Sequence, residues 1–349
     1  MRTVLLTRFS AIGDVAIAVP VVYSACRCYP QTRFVLLTRP AMVPIFTDAP
    51  ANLCVAGVDL KDGYKGVGGI YRLVSRILEE YAPAVYLDLQ NEMRTRLLAA
   101  FLRLRGVPGF RIDKGSRLRR RLTRRHNKVM LPLRGMRDVY AAVFDAAGMQ
   151  LRECFDSLFG GRGKAPAPLY ASISAPKAEG ERWVGIAPFA AYESKIYPPE
   201  LMEQVVRRLA AEPRVRIFLL GGGRQETEIL ERWADTIPGV SCPAGKRCGF
   251  AAELALFNHL DCMLTMDSAN MQLAAIAGTP TVSIWGATHP YCGFTAWRQS
   301  EADTLQLPVP CRPCSVYGNR PCLRGDYLCL RGIRPEMVAS RVIEVINNK

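Results

Sequence analysis

Apolar positions along this chain come in short unbroken runs that alternate with longer stretches of helical spacing. In residues 1–165 the runs 3–7, 33–37, 55–58, 84–88 and 109–112 read as strands, and 15–29, 71–80, 93–104 and 138–147 as helices. Such alternation predicts a parallel sheet covered by helices on both faces. The stretch Gly160-Gly161-Arg162-Gly163-Lys164-Ala165-Pro166-Ala167-Pro168 breaks the pattern with the Gly and Pro content of a linker. Beyond it the pattern restarts, with strands at 183–187, 215–220, 262–265 and 281–284 and helices at 199–211, 225–234, 251–258 and 270–277. The expectation is an α/β protein of two Rossmann-like domains facing each other across a cleft. Residues 1–165 form the first domain, 166–333 the second, and an amphipathic stretch over 334–349 is placed to cross back to the first.

Length agrees with this division, since 349 residues suit two cores of ordinary size. The longest apolar run, 15–26, is interrupted by Pro20 and falls short of the roughly 20 residues a membrane helix needs. Met1-Arg2-Thr3 leads straight into a strand without a signal peptide's apolar region, so a cytoplasmic protein is expected.

Charge changes the picture more than composition does. The formal net charge is +15, and residues 1–165 hold 27 Lys and Arg against 13 Asp and Glu. Eleven basic side chains between residues 102 and 128, Arg117 and Arg120 among them, face only Asp113. So one-sided a block points to an anionic partner: nucleic acid, anionic lipid or a phosphorylated acceptor. Of twelve cysteines, eight are scattered and read as small core residues. Cys311, Cys314, Cys322 and Cys329 cluster and can be read either as a structural zinc set or as reduced packing thiols.

Three stretches carry candidate chemistry. Ser10-Ala11-Ile12-Gly13-Asp14-Val15 follows the first strand, where open α/β sheets bind ligands. Asp14 there reads either as a helix cap or as a general base. Gly221-Gly222-Gly223 follows the strand at 215–220, and its amides suit a phosphate or a plain turn. Asp267-Ser268-Ala269-Asn270-Met271-Gln272 ends a strand and opens a helix of small residues. That helix N-terminus favours a diphosphate, while Asp267 and Ser268 suit sugar hydroxyls or a cap. Neither half carries G-x-G-x-x-G after its first strand, which argues against a dinucleotide oxidoreductase.

Ser10-Ala11-Ile12-Gly13-Asp14-Val15, Asp267-Ser268-Ala269-Asn270-Met271-Gln272-Leu273-Ala274-Ala275 and Gly278-Thr279-Pro280-Thr281-Val282 resemble the bacterial heptosyltransferases of glycosyltransferase family 9, in the right order and nearly end to end. The resemblance implies a GT-B fold and inverting transfer of a heptose or related sugar from a nucleotide donor, typically ADP-heptose, with no metal or cofactor required. The implied acceptor is the inner core of lipopolysaccharide or lipooligosaccharide, an anionic glycolipid met at the inner face of the cytoplasmic membrane.

By position the resemblance assigns Asp14 as catalytic base and Lys195 as the basic residue near the donor phosphates. Gly221, Gly222, Glu226, Asp267, Ser268, Ala269 and Gln272 fall to the donor, and Ser10, Gly13, Arg94, Arg96, Arg117 and Arg120 to the acceptor side. Two positions depart from the family pattern: Ala269 stands where Gly is common and Gln272 where His is common. Gln272 can donate a hydrogen bond but cannot carry a proton's charge. In a direct displacement, Asp14 would take the attacking hydroxyl's proton while Lys195 and backbone amides met the charge of the leaving diphosphate. A transferase using another nucleotide sugar remains a reading of the same residues. On charge alone, so does a basic nucleic-acid-binding protein, although no specific nucleic-acid motif is present.

Overall fold

The computed structural model describes residues 2–161, 163–246 and 248–348. Arg162 of the expected linker lies outside the described residues. The chain divides into two compact units, residues 1–115 with 135–158, and residues 116–134 with 159–349.

The first unit runs β1 (Arg2–Thr7), α1 (Ile12–Cys28), β2 (Thr32–Thr38), β3 (Leu53–Gly57), α2 (Gly66–Tyr81), β4 (Val85–Asp88), α3 (Met93–Leu104) and β5 (Gly109–Arg111). The chain next forms α4 (Ser116–Leu122), which belongs to the second unit, and then α5 (Met136–Ala146) in the first. All five strands are parallel, in the order β3-β2-β1-β4-β5. Leu5, Val35, Leu37 and Tyr86 of the sheet pack with Ile70, Leu73, Ile77, Leu98 and Leu102 of α2 and α3. Burying each of these aliphatic side chains stabilises the fold by roughly 1.5–3 kcal/mol.

In the second unit follow β6 (Arg182–Ala187), α6 (Pro199–Ala210), β7 (Val215–Leu219), α7 (Arg224–Thr236), β8 (Val240–Ser241), α8 (Gly249–His259), β9 (Cys262–Met266), α9 (Ala269–Ile276), β10 (Thr281–Ile284), β11 (Thr304–Leu305), α10 (Leu328–Arg331) and α11 (Pro335–Asn347). Its sheet is parallel too, in the order β11-β10-β9-β6-β7-β8. Both sheets are wound outward from a central pair, β1 and β4 in one and β6 and β9 in the other. Strand order reverses at these pairs, and open sheets bind ligands at the carboxyl ends there.

Two differences from the sequence reading bear on function. The final helix packs on α6, and Val338, Val342 and Ile346 join the second unit's own core instead of crossing to the first. Its apolar face finds a closer partner in the helix covering β6 and β7. The basic stretch 116–134 likewise belongs to the second unit. By sequence that unit holds 29 Lys and Arg against 18 Asp and Glu, and the first unit 17 against 13. Most of the positive excess therefore lies with the second unit, opposite to its expected placement.

Candidate active site

At the reversal point of the first unit, β1 ends in Thr7 and the chain enters α1 through Arg8-Phe9-Ser10-Ala11. Arg8 is buried, and its Nη2 meets Asp14 Oδ2 at 2.6 Å. Burial disfavours the arginine's charge, but Tyr140 and Asp14 together hold its pKa above the ordinary value. Asp14 sits one turn inside α1, not at its cap position, and Oδ2 also accepts from the Ala11 amide at 3.2 Å. Both contacts fall on one oxygen. The carboxylate is thus oriented by a guanidinium and a backbone amide, and Oδ1 is left to accept from a hydroxyl.

Across the reversal, Gln90 ties the loop after β4 to the loop after β1. Its Oε1 accepts from Phe9 N at 2.7 Å and its Nε2 donates to Glu92 at 2.9 Å. Asp88 Oδ1 holds the turn itself, accepting from the amides of Gln90 and Asn91 at 2.9 Å each. Beside these residues opens a cavity of about 470 Å³ lined by Ser10, Arg39, Lys61, Gln90, Glu92 and Arg94, among others. Three cations line it against two carboxylates, Asp59 and Glu92.

Ser10 and Arg94 of the expected acceptor set line this cavity. Gly13 is in the first turn of α1 nearby in sequence. Arg96 instead bonds Asn91 Oδ1 at 2.8 Å. Arg117 and Arg120 are exposed on α4, in the second unit. Arg8, Gln90, Arg39 and Lys61 were not singled out by sequence. Arg8 left one legible signal, a basic residue directly after an apolar strand.

In the second unit the reversal point joins the loop after β6 to the loop after β9. Lys195 Nζ reaches Asp267 Oδ2 at 3.0 Å, with both side chains largely buried. Thr288 Oγ1 donates to the same oxygen at 2.8 Å. Next to Asp267, Ser268 occupies the cap position of α9, but its hydroxyl pairs with Thr265 Oγ1 at 3.1 Å and makes no side-chain cap. The first amides of α9, beginning with Ala269, keep their donors and the positive end of the helix dipole for an anion.

Other donor-side residues are placed differently. Glu226 Oε2 accepts from Gly222 N at 2.9 Å and so closes the turn of Gly221, Gly222 and Gly223 onto the start of α7. A β-carbon on Gly221 would stand 2.9 Å from Leu230 Cδ1, whereas one on Gly222 would meet nothing within 4 Å. Gln272 is buried and donates through Nε2 to the Phe294 carbonyl at 2.7 Å. Its amide fastens α9 to the loop after β10, a role a protonated histidine would fill less well in that dry setting.

The zinc reading of Cys311, Cys314, Cys322 and Cys329 gives way to free thiols. Among the described residues, no group of three or more His, Cys, Asp or Glu side chains is placed to hold a metal ion. Burial pushes Cys329 up to about 11 and raises Cys314 as well, with neighbouring cysteines of the same set adding to both shifts. Among the described residues, no helix is long and apolar enough to cross a membrane.

A family model described as glycosyltransferase family 9 (heptosyltransferase) matches residues 71–321. Solved structures resemble the chain throughout. The glycosyl transferase family 9 protein of Veillonella parvula is 15% identical, with 100% of this chain and 98% of that one covered at a TM-score of 0.73. The E. coli ADP-heptose lps heptosyltransferase II is 16% identical over 100% and 99%, with a TM-score of 0.71. E. coli heptosyltransferase WaaC, solved with ADP, is 15% identical over 98% and 99%, with a TM-score of 0.66. At this identity the likeness shows a shared fold, GT-B. No curated protein matches the sequence.

Proposed function

The chain belongs to glycosyltransferase family 9, the heptosyltransferases, and from that premise we propose that it moves a heptose from ADP-heptose, with inversion, to an anionic sugar of a lipopolysaccharide or lipooligosaccharide core. The observation that carries this reading is the Lys195–Asp267 pair beside the uncapped start of α9. A cation and a row of unbonded amides at a sheet's reversal point suit a nucleoside diphosphate. Asp267 holds Lys195 in place, and a diphosphate entering the site draws on the same ammonium. As the glycosidic bond breaks, the leaving diphosphate gains charge, and these groups stabilise it more in the transition state than in the ground state.

On the acceptor side, Asp14 takes the proton of the attacking hydroxyl through Oδ1. Arg8 fixes the carboxylate's orientation. The cavity lined by Arg39, Lys61 and Arg94 suits an acidic sugar. The exposed arginines of 116–125 suit an anionic membrane surface, where each contributes about 1 kcal/mol.

Thermal shift against a panel of nucleotide sugars tests the donor. ADP-heptose should raise the melting temperature, since a ligand at about 100 times its Kd stabilises by about 2.7 kcal/mol. A shift with a uridine or guanosine sugar and none with ADP-heptose would reassign the donor. Transfer to a core acceptor stripped of acidic sugars, as fast as to the intact one, would reassign the acceptor.

A further inference from the structure

The second unit holds a second cavity, of about 380 Å³, which the transfer chemistry does not use. Lys128, Met130, His289, Gln306 and Arg312 line it, along with Leu307 and its neighbours to Pro310, and among the described residues no carboxylate does. A volume at the small end of the ligand-pocket range fits a molecule of monosaccharide size.

Its polar groups are mismatched in a way that specifies a ligand. Arg312 is buried, and its guanidinium donates to the carbonyls of Gly286, Leu307 and Thr288, those to Leu307 and Thr288 at 2.6 and 2.8 Å. Lys128 Nζ donates to the carbonyls of Cys311 and Pro313, the latter at 2.7 Å. Neither cation is paired with a carboxylate among the described residues. Three of the arginine's five N–H groups and two of the lysine's three are thereby used, so donors remain. Burial lowers the pKa of both, the direction expected of cations kept from water without a counter-charge.

His289 adds a neutral donor. Its Nδ1 accepts from the Tyr291 amide at 3.1 Å, which places the ring proton on Nε2. Against these donors stands an orphan acceptor: Gln306 Oε1 is buried with no hydrogen-bond partner among the described residues. An anion alone would satisfy the cations but leave that oxygen unpaired. A hydroxyl group on the same ligand would satisfy it.

We infer that this cavity is a binding site for a hydroxylated anion of monosaccharide size, a sugar acid or sugar phosphate, held at its charge by Lys128 and Arg312 and at a hydroxyl by Gln306. Its lining includes neither Lys195 nor Asp267 nor any residue of α9. The inference does not depend on which sugar the enzyme transfers, because it concerns binding alone.

Titration calorimetry on the full chain tests it, with glucuronate, glucose 6-phosphate, inorganic phosphate and glucose as probes. One of the two sugar anions should bind at one site per chain, at least tenfold more tightly than glucose. Lys128→Met should weaken that binding at least tenfold. Gln306→Met removes the orphan acceptor without removing charge, so it should weaken the sugar anion while leaving inorganic phosphate unchanged, and its melting temperature should not fall. ADP affinity should be the same in both variants, which separates failure here from failure of the donor assignment. The methyl glycoside of glucuronate distinguishes the source: equal binding indicates a charged sugar within a larger glycan, and rejection indicates a free metabolite. Absence of binding by every probe up to about 10 mM, or binding that neither variant alters, would overturn the inference.

Discussion

Gly318 lies against the stem of Lys195 so closely that a β-carbon there would stand 2.5 Å from both Cγ and Cδ. Its φ of +80° belongs to the left-handed region that glycine adopts without strain. Ser194 Oγ donates to the Gly318 carbonyl at 2.6 Å and holds the two segments together. Lys195 is therefore aimed from two sides, by Asp267 at its tip and by Gly318 along its stem.

Gly318→Ala should weaken ADP binding in the same direction as Lys195→Ala, because the added carbon must displace the lysine stem. Calorimetric Kd values for parent and both variants would decide it. A Gly318→Ala protein that binds ADP like the parent would mean that the loop does not aim the lysine.

Removing either member of the Lys195–Asp267 pair should weaken the donor, and the two effects should not add. Lys195→Ala deletes the cation, while Asp267→Asn leaves it present but less firmly held. In a double-mutant cycle the coupling should fall in the range of about 0.5–3 kcal/mol seen for contacting groups. Strict additivity in ADP affinity would show that the pair does not act as a unit.

Asp14→Asn should lower turnover by about two to four orders of magnitude, the range for a positioned base, while leaving ADP affinity intact. Asparagine keeps an oxygen for Arg8, so the fold should hold. Arg8→Met should also slow turnover, since it releases the carboxylate that the guanidinium orients at 2.6 Å. Single-turnover rates with saturating donor would measure both, and near-parental rates in Asp14→Asn would leave Asp14 as a helix-terminal residue only.

Burial, with Arg312 close by, lowers His289 to about 4. An unfolded histidine titrates near 6.5. Between these values the unfolded chain binds more protons than the folded one, so stability from this group is full above about 6.5 and is lost as pH falls toward 4. Melting temperatures of the parent and His289→Gln across that window should diverge, with the parent falling more steeply. Parallel curves would remove His289 from the acid response.

Arg117, Arg120, Arg121, Arg124 and Arg125 are exposed, whereas Arg119 donates to Tyr317 at 2.5 Å and lies over the rings of Phe294 and Tyr317. Replacing the five exposed arginines by Gln should weaken binding to anionic vesicles, most clearly at low salt. Arg119→Gln should lower thermal stability more than vesicle affinity. Co-sedimentation at two salt concentrations would show it, and equal binding by parent and five-fold variant would remove this surface from membrane contact.

Much of this protein was settled by local sequence. Strand and helix spacing depends on which neighbouring residues share a face, so the alternation that builds both parallel sheets could be read directly. The turns at Asp14, Gly221–Gly223 and Asp267-Ser268 could be placed at strand ends for the same reason. What the turns do there was not local. Asp14 reads as a cap or a base until Arg8 and Tyr140, the latter donating to the Asp14 carbonyl from 126 residues away, are seen beside it. Gln272 reads as a ligand-facing residue until its amide is found on Phe294.

Tertiary structure alone decided where the charges and thiols went. Residues 116–134 carry the densest basic run, and nothing in their spacing tells which unit they join. Lys128 bonding the carbonyls of Cys311 and Pro313 settles that. The four late cysteines have spacing compatible with a metal, but among the described residues no group of three or more His, Cys, Asp or Glu side chains is placed to hold one. Periodicity is encoded by residues a few positions apart, whereas the company a charge or thiol keeps depends on segments brought together by the whole chain's burial of apolar surface.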